Sequence, residues 1–330
     1  MKAAYITETG PAESIQYGDL PKPEPRGREV LVRTTAVSVN PVDTYIRNGA
    51  NFWELPTPFV VGCDLAGVVE AVGPNASRFE VGARVWGTNQ GLLGRQGTFA
   101  EYCAVDEDWL YATPAGVSDE DAAACALVGV TAHLGLFRDA RLQPGETVFV
   151  HGGTGGVGSM VVQMAKASGA TVITTGGSDE KVQACLALGA DHAINYNSQS
   201  VADLLPQLAP GGVNVFWETL REPDFDFIVG VLAERGRLIL MAGREARPEF
   251  PVGPFYVKCC SVHGFVMFKT TADELRTCSL DINRWLSEGK LRAQISKRMP
   301  LSATAAAHQL QEANTLQKMG TLGGKIVLTP

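Results

Sequence analysis

The sequence predicts an α/β protein of two domains, one built on a doubly wound parallel sheet and one rich in β-strands. Three observations predict it. From Thr147 to about Ala242, short apolar runs alternate with amphipathic segments across short connections, the βαβα rhythm of a parallel sheet covered on both faces. The first third instead carries short strand-like runs cut by Pro, Gly and Asp, the pattern of a compact barrel or sandwich. At 330 residues the chain also exceeds one ordinary domain of roughly 100–200 residues.

The elements follow in order. Val30–Arg33 and Gly67–Val72 read as strands. Ser118 is a helix cap, Asp119, Glu120 and Asp121 oppose the helix dipole, and Ala122–Phe137 continues with high helix propensity. Thr147–His151 is a strand and Gly156–Ser168 a helix with apolar residues at 157, 161, 164 and 165. Strands at Ala170–Thr175, His192–Tyr196, Val213–Glu218 and Arg237–Ala242 alternate with helices at about Asp179–Leu188, Val201–Leu208 and Phe225–Leu232. After about Gly264 the rhythm stops. Asp273–Ser287 and Thr304–Gln317 read as amphipathic helices and Lys325–Leu328 as a closing strand.

Composition narrows the function classes. With 28 basic and 35 acidic residues the net charge is −7, which argues against general nucleic-acid or membrane-surface binding. The N-terminus lacks the apolar run of a signal peptide, and no stretch of about 18 apolar residues appears. Seven cysteines, odd in number and scattered without a C-x-x-C, favour a reducing cytoplasm and buried thiols.

The 36 glycines cluster most densely at His151-Gly152-Gly153-Thr154-Gly155-Gly156-Val157-Gly158. The loop follows an apolar strand and opens an apolar-periodic helix, the context in which G-x-G-x-x-G signals a dinucleotide site. Gly153, Thr154, Gly155, Gly156 and Val157 are therefore expected to lie against a pyrophosphate at a helix N-terminus. At the end of the next strand, Thr174-Thr175-Gly176-Gly177-Ser178 offers no carboxylate for the ribose hydroxyls of NAD. Gly177, Ser178, Lys181 and Tyr196 supply instead a hydroxyl, an ammonium and a phenol suited to a 2′-phosphate, and NADP(H) is the expected cofactor. Asp179 and Glu180 either serve as ribose acids or repel that phosphate, and the sequence leaves this open.

Further runs carry a resemblance: Val39-Asn40-Pro41-Val42-Asp43-Thr44-Tyr45-Ile46-Arg47, Gly62-Cys63-Asp64-Leu65-Ala66-Gly67, Gly82-Ala83-Arg84-Val85, Gly97-Thr98-Phe99-Ala100-Glu101-Tyr102 and Gly323-Gly324-Lys325-Ile326-Val327-Leu328. With the glycine loop they span the chain end to end, and the chain resembles the zinc-free medium-chain dehydrogenases/reductases of the quinone oxidoreductase (zeta-crystallin-like) family. That resemblance implies a Rossmann-type sheet over 123–264 nested within a GroES-like catalytic domain formed by 1–122 and 265–330.

It also implies roles. Asn40 and Tyr45 match catalytic positions beside the nicotinamide. Thr131, Gly243, Arg244, Phe265, Val266, Met267 and Lys325 match positions along the cofactor and active cleft. No metal is expected: the zinc members have a ligand cysteine near Asn40 that this chain lacks, their Gly-His-Glu matches Gly62-Cys63-Asp64, and all five histidines lie beyond position 130. Glu218-Thr219-Leu220 departs from the commoner Asp-x-Val-Gly, with bulky Trp217 beside it. The activity implied is hydride transfer from NADPH to a quinone by a homodimer. The rival reading is reduction of an activated C=C bond in an enone, 2-alkenal or acrylyl-CoA. A non-catalytic NADPH-binding structural or RNA-binding protein is a further alternative.

Overall fold

In a computed structural model, which describes residues 1–50, 54–317 and 319–330, two compact units are distinguished. One is Met1–Val130 with Phe268–Pro330, and the other is Thr131–Met267. The divisions fall after Val130 and Met267, whereas the resemblance implies passages at about 123 and 265.

The first unit opens with β1 (Lys2–Ile6), β2 (Gln16–Asp19), β3 (Glu29–Val39), α1 (Pro41–Arg47), β4 (Phe59–Val60), β5 (Asp64–Val72), β6 (Arg84–Gly87), β7 (Tyr102–Asp106) and β8 (Leu110–Ala112). Strand β1 pairs antiparallel with β2 and β4. The β-branched residues of β3 suit a long buried strand, and it pairs antiparallel with both β5 and β7. Asn40 ends β3 in extended conformation, and Pro41 then presets the helical φ of α1.

Helix α2 (Asp119–His133) is capped as its sequence suggests: Ser118 Oγ accepts from the Asp121 N–H at 3.0 Å. It does not run on as α-helix to Phe137 but widens into a π-helical turn over Leu134–Asp139. Any Cβ on Gly135 in that turn would collide with the Trp217 ring, so the bare backbone is what lets the indole pack. Among the described residues, Asp119–Asp139 is the one helical run long and apolar enough to cross a membrane. Most of it is buried, as in a core helix.

The second unit contains β9 (Thr147–Val150), α3 (Gly156–Ala167), β10 (Thr171–Gly176), α4 (Asp179–Ala187), β11 (His192–Asn195), α5 (Val201–Leu208), β12 (Val213–Glu218), α6 (Phe225–Val231), β13 (Leu232–Leu240), α7 (Val252–Val257) and β14 (Ser261–Gly264). Its six strands are all parallel, in the order β11-β10-β9-β12-β13-β14. This is the doubly wound arrangement, with the chain reversing direction across the sheet between β9 and β12. Phe149, Ile173, Ile194, Phe216 and Leu238 from five strands pack with Leu205 of α5 and Ile228 of α6. Each such side chain contributes about 1.5–3 kcal/mol on burial.

The chain then returns to the first unit as α8 (Ala272–Ser287), β15 (Ile295–Pro300), α9 (Thr304–Thr315) and β16 (Lys325–Thr329). Strand β16 inserts between β15 and β3. Sequence periodicity misses α7, β14 and β15. No residue of α7 is buried and β15 carries no fully buried residue, so neither has an apolar stripe to read. Strand β14 is an exposed sheet edge. Strand β13 begins at Leu232 rather than Arg237, with Arg235 at φ +59° inside it.

Candidate functional site

In the second unit, the turn from β9 into α3 is built on backbone. Gly152 adopts φ +73°, and a Cβ on Gly158 would collide with the Gly152 carbonyl oxygen. Strand end and helix start therefore touch only because both are glycine. The N–H groups on the strand side turn inward: Gly152 donates to Thr175 Oγ1 at 2.9 Å and Gly153 to the Thr175 carbonyl at 3.0 Å. Gly155 donates to the Gly152 carbonyl at 3.0 Å. The Ser159 N–H bonds the Gly155 carbonyl at 2.9 Å, which leaves the N–H groups of Gly156, Val157 and Gly158 without an intrahelical acceptor. Thr154 is buried and Gly155 exposed. Bare glycine backbone at the start of a twelve-residue helix fits a pyrophosphate.

Ser178 caps α4, its Oγ accepting from the Lys181 N–H at 3.3 Å. The Tyr196 hydroxyl lies over Gly177 so closely that a Cβ there would collide with it, while the tyrosine stays 54% exposed. Gly177, Ser178, Lys181 and Tyr196 thus gather at the ends of β10 and β11. A half-exposed phenol and a capping hydroxyl on a bare glycine fit a phosphate-bearing ribose.

At the point where strand order reverses, His151 Nδ1 and Glu218 Oε1 lie 2.9 Å apart. Glu218 also accepts the Leu220 N–H at 2.6 Å, and Thr219 Oγ1 donates to the His151 carbonyl at 2.9 Å. The departure at Glu218-Thr219 is thereby accounted for: it ties the end of β12 to the end of β9. Sequence reasoning noted both residues without pairing them, because 67 positions separate them. Trp217 is fully buried, its Nε1–H on Met241 Sδ at 3.1 Å.

The other positions of this unit lie on α2 and in the segments after β13 and β14. Thr131 is buried on α2. Gly243 has φ +81°, and Arg244 beside it is exposed. Phe265 receives the Arg138 guanidinium 5.3 Å from its ring centre, Val266 is exposed and Met267 buried.

In the first unit, Asn40, Asp64 and Lys325 meet at one end of neighbouring strands β3, β5 and β16. Ser38 faces Asp64, and Val39 faces Ile326, so register alone brings the three together. One Asp64 oxygen accepts from Asn40 Nδ2 at 2.7 Å and Ser38 Oγ at 2.8 Å, and the other accepts from Thr88 Oγ1 at 2.7 Å. Lys325 Nζ donates to Asn40 Oδ1 and lies 3.8 Å from Asp64 Oδ2. The Asn40 N–H donates to Asp43 Oδ2 at 2.7 Å, and Tyr45 sits half-buried on the same helix.

Burial pushes Asp64 up and Lys325 down, each toward its neutral form, and each charge pulls the other back. Burial drives Asp43 up to about 7, against the hydrogen bond of the Cys63 thiol beside it. It drives that thiol well above its ordinary range, the neighbouring Asp43 charge adding to the effect. Of this cluster, the sequence had singled out Asn40 and Lys325 but not the two carboxylates that hold them. Asp64 stands out in sequence only as a member of the Gly62-Cys63-Asp64 run that the resemblance sets against the zinc members' Gly-His-Glu.

This donor set does not fit a zinc ion. The Asp64 oxygens are taken by three protein donors and an ammonium, which leaves neither oxygen open to a metal. Among the described residues, no three His, Cys, Asp or Glu side chains group as metal donors.

Comparison with known proteins agrees with this architecture. The profile of the alcohol dehydrogenase GroES-like domain matches residues 26–115, and that of the zinc-binding dehydrogenases matches residues 156–282. Human quinone oxidoreductase is 30% identical over 99% of this chain and 98% of its own length. A Pseudomonas aeruginosa quinone oxidoreductase is 32% identical over 93% of each chain. A 2-haloacrylate reductase from Burkholderia is 28% identical over 93% of this chain and 94% of its own. Among solved structures, an NAD-dependent alcohol dehydrogenase superposes with a TM-score of 0.88 at 30% identity, covering 100% of each chain. Escherichia coli quinone oxidoreductase, solved with NADPH, superposes with a TM-score of 0.85 at 26% identity over the same full coverage. A chain with these two profiles in succession, this sheet order and relatives alike over nearly its whole length belongs to the medium-chain dehydrogenase/reductase family, among the quinone oxidoreductases.

Proposed function

We propose that this protein transfers reducing equivalents from NADPH to a small electron-poor acceptor, a quinone foremost, without zinc. The observation that carries the reading is the end of β10, where Gly176-Gly177-Ser178 presents no carboxylate and the Tyr196 phenol overlies Gly177. The relatives named quinone oxidoreductases support the acceptor class, and the saturated Asp64 supports a reaction that proceeds without a Lewis acid.

In this reading Gly153, Thr154, Gly155, Gly156 and Val157 hold the pyrophosphate, and Gly177, Ser178, Lys181 and Tyr196 hold the 2′-phosphate. Thr131, Gly243, Arg244, Phe265, Val266 and Met267 orient the nicotinamide half. When bound, NADPH supplies a hydride. Asn40 acts through position: with its amide nitrogen donating to Asp64 and to the Ser38 carbonyl and its oxygen accepting from Lys325, it fixes the end of β3 and the start of α1. Tyr45 on that helix offers its Oη–H to the acceptor oxygen that gains charge. The protein works as a homodimer in a reducing cytoplasm, with no role for RNA or a membrane.

A second acceptor class, the activated C=C bond, is favoured by the relative named 2-haloacrylate reductase. NADPH oxidation measured against 1,2- and 1,4-quinones, enones, 2-alkenals, 2-haloacrylate and acrylyl-CoA separates the two. The expected result is turnover with quinones at the highest kcat/KM. Turnover confined to activated alkenes moves the assignment to the second class, and none with any acceptor removes the enzymatic reading.

A further inference from the structure

The phosphate seat proposed above has a carboxylate beside it. Asp179 is the first residue of α4, directly after Ser178 and two positions before Lys181, and its side chain is exposed. Such a carboxylate selects coenzymes by where it points. Turned toward the ribose, it repels a 2′-phosphate and accepts a hydrogen bond from a 2′-hydroxyl. Turned away, it leaves the seat to the hydroxyl, ammonium and phenol.

Here its direction is set by a neighbour. Asp179 Oδ1 accepts from Asn195 Nδ2 at 2.7 Å. Asn195 ends β11, the strand paired in parallel with β10, and it is 9% exposed. Its amide is itself held. Oδ1 accepts from the Asn197 N–H at 3.1 Å, which leaves Nδ2 as the end facing Asp179. The Asn195 N–H donates to Gln199 Oε1 at 3.1 Å. Asn197 Nδ2 in turn donates to the Gly177 carbonyl at 2.7 Å, so the loop after β11 is tied back to the backbone beneath Tyr196. The clamp is thus part of the same turn that forms the seat.

We propose that Asn195 is a specificity-determining positioning residue, which holds the Asp179 carboxylate against the end of β11 and so keeps the ribose seat open to a 2′-phosphate. This rests on the reading that Ser178, Lys181 and Tyr196 receive that phosphate. It accounts for how a chain with two acids in the first turn of α4 accepts NADPH, the question its sequence leaves open.

The test is equilibrium binding of NADPH and NADH followed by nucleotide fluorescence, with 2′,5′-ADP and 5′-AMP as competitors that isolate the 2′-phosphate. Asn195→Ala lowers the NADPH-to-NADH affinity ratio about tenfold, the scale of a unit charge released near a surface phosphate, and the shift shrinks at high salt. Asn195→Ser, too short to hold the carboxylate, moves the ratio in the same direction. Adding Asp179→Asn to Asn195→Ala restores the ratio to within about threefold of the parent, a rescue that loss of structure would not permit. A ratio unchanged by Asn195→Ala, or a loss shared equally by both coenzymes and not rescued, overturns the proposal. Lys181→Ala is measured alongside. If it weakens both coenzymes equally, or the parent does not prefer NADPH, the phosphate seat fails and the clamp with it. A preference that depends on Lys181 but not on Asn195 removes the clamp alone.

Discussion

At the end of β9 the chain leaves its backbone bare, whereas at the end of β3 it surrounds one carboxylate with every donor within reach. The glycine turn has N–H groups at the start of α3 with no intrahelical acceptor. The Asn40–Asp64–Lys325 cluster is buried and satisfied by Ser38, Thr88 and its own members. A place that receives a charged group keeps its polar groups unmatched until that group arrives. A place that holds geometry matches them internally, because a buried unmatched charge costs several kcal/mol. The two regions should therefore respond oppositely to mutation: the cluster in stability, the turn in ligand affinity.

The largest effect should come from splitting the cluster. Lys325→Met leaves Asp64 buried beside neutral donors and should cost about 3–5 kcal/mol of unfolding free energy in a urea titration. Combining it with Asp64→Asn should recover much of that loss, since no charge is then left unpaired. Equal and additive losses from the two changes would show that the pair does not act as a unit.

Gly158→Ala tests the turn. Its Cβ would be driven into the Gly152 carbonyl, spreading the strand end from α3. NADPH and NADH affinity should both fall about a hundredfold, roughly 2.7 kcal/mol. The acid-stability profile should be untouched, and a variant that binds normally would contradict the role of the close approach.

Legibility in the sequence divides along the same line. The doubly wound sheet and the glycine turn were readable because their signals are local: apolar runs, short loops, and glycines within eight residues. The cluster was not, because its Asn40–Lys325 bond joins residues 285 positions apart, and only strand register brings them together. Asn40 and Tyr45 stood out through family resemblance alone. The Asn195–Asp179 clamp was hidden in a different way, since an asparagine ending a strand looks like an ordinary turn residue.

An effect absent at neutral pH and felt only in acid lies away from both regions. His308 is fully buried on α9, with no hydrogen-bond partner at either ring nitrogen among the described residues, and burial lowers its pKa to about 3, with the nearby Arg47 charge adding. The folded chain keeps it neutral while the unfolded chain protonates near pH 6.5, so stability is full above that value and falls as pH drops toward 3. The loss is about 1.4 kcal/mol per pH unit across that window. His308→Phe should flatten this part of the pH–stability curve, and an unchanged slope would mean the histidine is not kept neutral.

The most direct test of the whole account is NADPH oxidation with a 1,4-quinone by protein exhaustively stripped of metal. If the saturated Asp64 at the start of β5 leaves no place for a metal and the β10 end selects NADPH, turnover should survive chelation unchanged. NADH should then serve about tenfold less well. A protein that turns over only after zinc is restored, or that uses NADH as readily as NADPH, would contradict it.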